Sequence, residues 1–454
     1  METPEFLRPF QFDLPLFANK CGPASPWNQK VGTNKPDDVS ERQARVTYGI
    51  FKEFSETRLA EDRNALQTMI ENGEQGTTAF ENLQFSITQQ EEKFANEGGG
   101  KHQFPFINYD EFSFPIFRVK RDAVGNVILG EIPLQPYNID SFSPPWFPRT
   151  GNQHSGFKAL DVPLPDGPFR PAGPQNQDSD GTIILYDAQT KTEYDFWQVT
   201  TQLDRNGLSA GGGIVGDTVL ATGSIAEFDA TGVGARYPEI EPSGSARASG
   251  LPYLGGLILP EDLEKGADSK IQHALVFAMP QLRFFPDRLA EQSPNWVYPA
   301  TRTESGSPIA NPDALAAGQR IRLKEKLHDH NGETHAIADL INDESLPPIV
   351  RIFLETLHYY GAFLVDGGGG FGFAAEDIYT ANLSAELARE LTAPAKLDED
   401  TTPWQGVIET LNDYLFQKLL NGSGLAFALL DAQHGFRSNF AVAEDIKAFY
   451  LAKC

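Results

Sequence analysis

The sequence predicts a mainly β protein, an antiparallel β-sandwich or jelly roll with helical additions at its N and C termini. Short β-prone runs separated by Gly, Pro and Asp turns occupy the chain from about residue 104 to residue 380. A doubly wound α/β fold would instead need a regular alternation of strands and helices. We therefore expect an N-terminal helical segment (1–103), a β-sandwich core (104–380) and a C-terminal helical segment (381–454). With 454 residues, 40% of them hydrophobic, the chain can bury a large core.

The N-terminal segment carries one clear helical pattern. Ser40 and Gln43 fit a capping box at its start. Apolar residues then recur at helical spacing as far as Ile70, and Gly73 is expected to end the helix. Two β-prone runs follow, at 112–119 and 126–132, and they open the predicted sheet region.

The middle of the chain combines a proline-rich stretch with a series of strands. Residues 141–181 contain eight prolines, which predicts a long surface loop of the kind that walls a binding cleft. The runs 182–187 and 192–199 flank a polar turn and predict a hairpin. Further strands are expected at 271–279 and 320–327.

Two amphipathic helices are predicted late in the chain. The first begins at Pro347 and Pro348 and ends at Gly361. The second begins at Thr402 and Pro403, and its apolar residues share one face as far as Leu419. In the predicted fold these helices pack on the β core.

The composition of the sequence disfavours some classes of binding partner and bears on where the protein is located. The sequence holds 62 Asp and Glu against 37 Lys and Arg, a net charge of −25, which disfavours nucleic acid and anionic membranes as partners. No apolar run reaches the about 18 residues of a membrane span. The N-terminal residues lack the apolar region of a signal peptide, so we expect either a cytosolic protein or one whose leader is missing. The sequence contains two cysteines, Cys21 and Cys454, and a single disulfide between them is an alternative to two free thiols.

A family resemblance covers roughly Asp178 to Asp377. In order, its segments look like a widespread group of secreted, largely uncharacterised bacterial β-rich proteins with the motifs A-x-G-L-P-x-x-x-G-L, I-x-H-A-L-x-F, W-P-A, R-x-R-L-K and Y-G-x-x-x-x-D-x-G. The resemblance implies a secreted or extracytoplasmic protein linked to polysaccharide, and it carries no catalytic assignment. The chain departs from the pattern at Leu208–Gly213 and at Thr301-Arg302, where members of the group carry histidines. The matching segments are Ala248–Leu257, Ile271–Phe277, Val297–Ala300, Gly318–Lys324 and Tyr360–Asp366.

The leading functional hypothesis is a glycoside hydrolase that cleaves polysaccharide with paired carboxylates. Asp366 ends a predicted strand just before four glycines, so its carboxylate is expected to face an accessible cleft, and Glu304 follows an aromatic segment. His273 is a third catalytic candidate, although it shares a strand face with apolar side chains, which also fits a hydrogen-bonded core histidine. The net negative charge favours neutral glycans over polyuronates.

Aromatic and basic residues supply the predicted substrate-binding positions. Trp146, Trp296 and Tyr298 are candidate sugar platforms, although a buried core position is commoner for tryptophan. A polysaccharide lyase is the alternative enzyme, with Tyr298, Arg302 and His273 as base and charge-neutralising groups. A non-catalytic lectin-like or surface structural protein is the other alternative.

One acidic loop has the spacing of a calcium site. Asn176, Asp178, Asp180 and Asp187 supply oxygens at positions 1, 3, 5 and 12 of a calcium-loop pattern. The same residues also suit a solvated turn that starts a strand. Two glycine-rich stretches, 211–216 and 367–372, fit G-x-G-x-x-G but lack the βαβ context, so no nucleotide cofactor is expected.

Overall fold

The computed structural model describes most of the chain in several stretches. The described residues are 26–31, 38–95, 105–133 without 111, 159–163, 166, 172, 181–196 without 191, 214–215, 218–219, 225–229, 247–285 without 248, 295–300 without 298, 303, 308–328, 333–392, 401–422, 428–431, 435–438 and 440–442.

Helices lie near both ends of the chain and also between the strands. The described α-helices are α1 (Asp38–Glu71), α2 (Thr78–Ala95), α3 (Ile337–Ile341), α4 (Pro348–Tyr359), α5 (Ala385–Leu391) and α6 (Pro403–Thr410). A π-helical segment, Leu411–Gly422, continues α6, and short 3₁₀ turns occur at Pro26–Asn28, Pro260–Leu263 and Gly266–Asp268. No helix in the described stretches combines the length and hydrophobicity that a membrane crossing requires.

The strands are short and form several sheets. They are β1 (Phe106–Asn108), β2 (Ile116–Arg118), β3 (Leu129–Pro133), β4 (Ala159–Pro163), β5 (Ile183–Asp187), β6 (Thr192–Phe196), β7 (Ile214–Val215), β8 (Thr218–Val219), β9 (Ile225–Asp229), β10 (Leu275–Met279), β11 (Leu282–Arg283), β12 (Pro308–Ile309), β13 (Arg320–Leu323), β14 (Lys326–His328), β15 (Thr334–Ala336), β16 (Ala362–Gly367), β17 (Gly372–Ala374), β18 (Ala428–Asp431), β19 (Gly435–Ser438) and β20 (Phe440–Val442).

The main sheet has six strands in the order β1-β17-β10-β16-β13-β20 and mixes parallel with antiparallel pairs. Strand β10 runs parallel to β16, whereas β13 runs antiparallel to it. Among the interpretable residues, 37% are helical and 22% are in strands. The prediction of a mainly β sandwich or jelly roll is therefore wrong: the structure is mixed, with small mixed sheets.

One face of the main sheet shows why a sandwich does not form. Strand register and side-chain alternation place Phe277, Leu364 and Phe373 on the same face. Phe353 of α4 packs edge-on against Phe373 at 5.6 Å, and Phe416 of the π-helical segment stacks on it at 5.6 Å. Helices thus cover the face on which a second sheet was expected.

Trp27 packs on the opposite face of the main sheet. Its ring meets that of Phe363 edge-on at 5.2 Å. The guanidinium of Arg320 lies 5.0 Å from the Phe363 ring and donates hydrogen bonds to the carbonyls of Pro26 and Gln29. The sheet is therefore buried on both faces, which is typical of a strand core flanked by other layers.

Several locally encoded elements agree with the sequence. Helix α4 begins at Pro348 and is followed by Gly361, whose φ of +69° suits a helix end, as predicted. The hairpin of β5 and β6 also forms as predicted. At α1 the predicted start is wrong by a small margin, because the helix begins at Asp38 and places Ser40 inside its first turn.

A second, four-stranded sheet, β2-β5-β6-β9, lies against the main core. Every residue of β5 is buried. The hydroxyl of Ser113 donates to Asp377 at 2.7 Å, and an isolated bridge joins Phe114 to Glu376. These contacts hold the second sheet beside the chain segment that follows β17, and so bring β6 close to the functional candidates on β16.

Candidate functional site

Asp366 lies near the end of β16, where the strand leads into the glycine run. The pairing of β10 with β16 shifts register after Phe277, which places Ala278 opposite Asp366. Gly368 then donates its backbone N–H to the carbonyl of Met279 at 3.0 Å. Asp366 is half-buried, and Gly368 and Gly369 are exposed. Asp366 therefore lies at the boundary between the core and solvent, and the predicted cleft beside it stays a prediction.

Trp296 is brought to the same part of the sheet. It forms an isolated bridge with Ala317, and the neighbouring residue Gly318 donates its N–H to the carbonyl of Leu364 at 2.7 Å. Trp296 is thus about two inter-strand spacings, ~10 Å, from the end of β16. Its side chain is unusually open for a tryptophan, with 44% of the residue exposed.

Arg247 is the cation next to Asp366, and it is buried. Its guanidinium lies 5.0 Å from the Phe114 ring and 5.4 Å from the Tyr253 ring. It donates long hydrogen bonds, 3.4–3.5 Å, to backbone carbonyls of residues 252, 253 and 255. Ser249 donates its N–H to the carbonyl of Val365, so the Arg247 loop is fixed directly to β16.

Two further carboxyl groups approach Arg247 from the second sheet. Glu193 and Asp195 lie two residues apart on β6 and therefore point to the same face. Glu193 accepts a hydrogen bond from the N–H of Leu254 at 2.6 Å, and Asp195 accepts one from Tyr253 at 3.0 Å. Both residues are completely buried, at 0% exposure.

The charges of this cluster affect one another. Burial raises the pKa of Glu193 well above its usual range, and the charge of Asp195 and a hydrogen bond with it raise it further. Burial lowers the pKa of Arg247, while Asp366, followed by three other acidic groups, opposes that change. Arg247 therefore links the half-buried carboxylate of Asp366 electrostatically to the buried pair. Groups with strongly shifted pKa values often mark functional sites.

The sequence analysis missed Glu193, Asp195 and Arg247. The alternation Thr-Glu-Tyr-Asp-Phe suggests that the acids of β6 face water. The neighbouring strand β5 provides the sequence signal that could have located them. Its run Ile-Ile-Leu-Tyr is apolar at consecutive positions, which indicates a strand buried on both faces. A strand that pairs with β5 points the side chains of one of its own faces into the same core, even when those side chains are charged.

His273 forms a separate buried pair with Asp262. Its Nε2 lies 3.1 Å from the Asp262 carboxylate, and its Nδ1 lies 3.0 Å from the carbonyl of Ala274. Both partners are acceptors, so the protonated ring, which can donate from both nitrogens, is the form that satisfies both contacts. Burial acts to lower the pKa of His273, but the charge and hydrogen bond of Asp262 and the carbonyl of Ala274 outweigh it and raise that pKa. Both ring nitrogens are therefore engaged by groups of the protein itself.

The remaining substrate-binding and catalytic candidates fall in other parts of the chain. Glu304, Tyr298, Arg302 and Trp146 lie outside the described residues. The structure therefore brings together Asp366 and Trp296, whereas the pairing of Asp366 with Glu304 stays a prediction.

The predicted calcium loop is described only at its last position. Asn176, Asp178 and Asp180 lie outside the described residues. Both oxygens of Asp187 accept hydrogen bonds from Arg121 at 2.6 Å. Within the described stretches, no group of three or more His, Cys, Asp or Glu side chains is arranged to hold a metal ion. The calcium site stays a prediction.

Comparisons with other proteins add no relative. No protein-family model matches the chain, and neither the curated proteins nor the solved structures contain a significant match.

Proposed function

We propose that this protein is a carbohydrate-active enzyme that hydrolyses glycosidic bonds of a polysaccharide at Asp366. The observation that carries the proposal is that a half-buried carboxylate and an exposed indole belong to backbone segments at one end of the main sheet, separated by about two inter-strand spacings, ~10 Å. Glycoside hydrolysis uses carboxyl groups beside the scissile bond. An exposed tryptophan offers a flat apolar face on which a sugar ring can stack.

Asp366 acts in this proposal as the group that activates water or attacks the anomeric carbon. The guanidinium of Arg247 stabilises its negative charge from the buried side, while the glycines that follow leave the outer side accessible. A second carboxyl group must protonate the leaving oxygen. Glu304, which follows Trp296 in the sequence, is the candidate for this role.

A lyase reaction has less support. It would need a base to abstract a proton beside a uronate carboxylate. His273 was the candidate base that the structure describes, and both of its ring nitrogens are already engaged with acceptors. The net charge of −25 also disfavours a polyanionic substrate.

A lectin-like binding protein is the second candidate function. Exposure of Trp296 supports sugar binding whether or not a bond is cleaved. In that case Asp366 would hold a sugar hydroxyl by a hydrogen bond and carry out no chemistry.

A screen against neutral and uronate polysaccharides distinguishes these functions. Hydrolysis produces new reducing ends, and a lyase produces unsaturated uronates. Binding without either product would refute the enzymatic proposal and favour the lectin-like protein. Asp366→Asn should lower kcat by about 10²–10⁴-fold, and Trp296→Ala should mainly raise KM. Val124→Ala, at an exposed turn position, is the matched control and should change neither.

A further inference from the structure

We propose that Glu193 and Asp195 share a single proton at neutral pH, and that this pair acts through Arg247 as a positioning unit for Asp366. The shared proton is a property of the folded chain alone. The positioning role rests on the proposed function, because it concerns the charge that Asp366 presents to a substrate.

The two carboxyl groups of the pair lie inside the main hydrophobic core. Tyr186 and Ile184 of β5 are the cross-strand partners of Glu193 and Asp195, and both belong to the main hydrophobic core. The two acids therefore project into that core and not toward solvent. Two carboxylates that are two residues apart on one strand face and fully buried repel each other strongly, so one proton is retained between them.

The charges around Arg247 must also balance. Among the described residues, the charged and titratable groups that act on Arg247 are Asp366, Tyr253, Asp195 and Glu193. If all three carboxyl groups were ionised, two negative charges would remain uncompensated around one guanidinium. With one proton on the pair, its single negative charge balances Arg247, and the remaining negative charge lies on Asp366, which reaches solvent. This arrangement avoids an uncompensated charge in the core.

The pair is linked to Asp366 through one loop. Glu193 and Asp195 bind the backbone N–H groups of Leu254 and Tyr253, in the loop whose carbonyls hold the Arg247 guanidinium. The same loop is attached to β16 at Val365, next to Asp366. Loss of the shared proton would add a negative charge on the far side of Arg247 and draw the cation away from Asp366.

The shared proton is tested by infrared spectroscopy of the full-length protein, with no substrate present. At neutral pH the difference spectrum between the wild type and Glu193→Gln should contain the carbonyl stretch of a protonated carboxylic acid, because any other protonated acid, such as Glu304, cancels in it. Glu193→Gln should remove this band, because the amide can donate to Asp195 and takes the place of the proton. Asp195→Asn gives an independent test should the first variant fail to fold. Glu61→Gln, at an exposed position on α1, is the control and should leave the band intact.

The positioning role is tested by the pH profile of polysaccharide hydrolysis. In the wild type, activity should fall at high pH as the shared proton is lost. In Glu193→Gln there is no such proton to lose, so this alkaline limb should move to higher pH. A purely structural role would lower activity at all pH values and leave the limb in place.

The outcomes separate the two proposals. Absence of the band, or its persistence in both pair variants, would overturn the shared proton. A band that behaves as expected, with an unchanged alkaline limb, would overturn the coupling to Asp366. A correct band in a protein that cleaves no polysaccharide would refute the proposed hydrolase while the shared proton stands.

Discussion

Removal of the Asp262 carboxylate should cost stability in a way that depends on pH. In the folded protein, both ring nitrogens of His273 donate to acceptors, and the imidazolium is 5% exposed. In Asp262→Ala the ring keeps the carbonyl of Ala274 as a partner but loses its counter-charge. Breaking a buried ion pair by removing one partner costs about 3–5 kcal/mol. We expect the free energy of unfolding to fall by about that amount near pH 6.

Asp262→Asn separates the charge from the hydrogen bond. After the ring becomes neutral, the Asn amide can donate to Nε2 of His273 while Nδ1 still donates to Ala274. We expect this variant to lose about 1–3 kcal/mol, in the range of a hydrogen bond to a charged group. The smaller loss than in Asp262→Ala would show that part of the pair's contribution is a hydrogen bond that an amide can replace.

The sign of the pH dependence follows from the raised pKa of His273. Its folded-state pKa lies above the ordinary value of 6.5. The stabilisation by the imidazolium is therefore fully present below pH 6.5 and is lost as the pH rises through the folded-state pKa. Urea denaturation from about pH 5.5 to about pH 8.5 measures this decline. Both variants should lack it; an Asp262→Asn protein with the wild-type slope would refute the assignment of an imidazolium.

Three other substitutions test the packing. Gly318→Ala should destabilise the protein by more than about 2 kcal/mol, because Gly318 has a φ of +83° and a Cβ there would overlap the carbonyl oxygen of Val297; thermal unfolding would show it. Phe353→Ala should cost about 3–5 kcal/mol in urea denaturation, since it empties a space between two buried aromatic rings. Phe112→Gly should instead raise stability by about 1 kcal/mol, because Phe112 has a φ of +51° and is 44% exposed. No change, or a loss, would contradict the last expectation.

Locally encoded parts of the fold could be predicted from the sequence. Helix α4 has an apolar face, prolines at its start and a glycine after its end, and all of these signals act within one segment. The β5–β6 hairpin is also a local contact. The order of strands in the main sheet is not local: β1 pairs with β17 and β10 pairs with β16 across long stretches of chain. These pairings depend on which buried surfaces match, so the sheet was mistaken for part of a sandwich.

The candidate functional residues also differ in whether local sequence is enough to predict their positions. The position of Asp366 near the end of a strand could be predicted because the strand and the glycine run are visible in one short segment. Glu193 and Asp195 could not, because a two-residue period shows that they share a face without showing which face is buried. Only the pairing with β5, whose residues are all buried, fixes that face.

The segments that carry the family resemblance mainly build the sheet and its connections. Leu275 of one segment pairs with Ala362 of another, and Gly318 of a third bonds to Leu364. A protein that shared only these segments would keep the central strands β10, β16 and β13 and the position of Asp366, whereas β1, β17 and β20 lie outside them. Such a protein would not necessarily contain the carboxyl pair, because β6 lies outside the matching segments. Similarity in those segments alone would therefore predict the same three central strands, whereas the shared proton would require acids equivalent to Glu193 and Asp195.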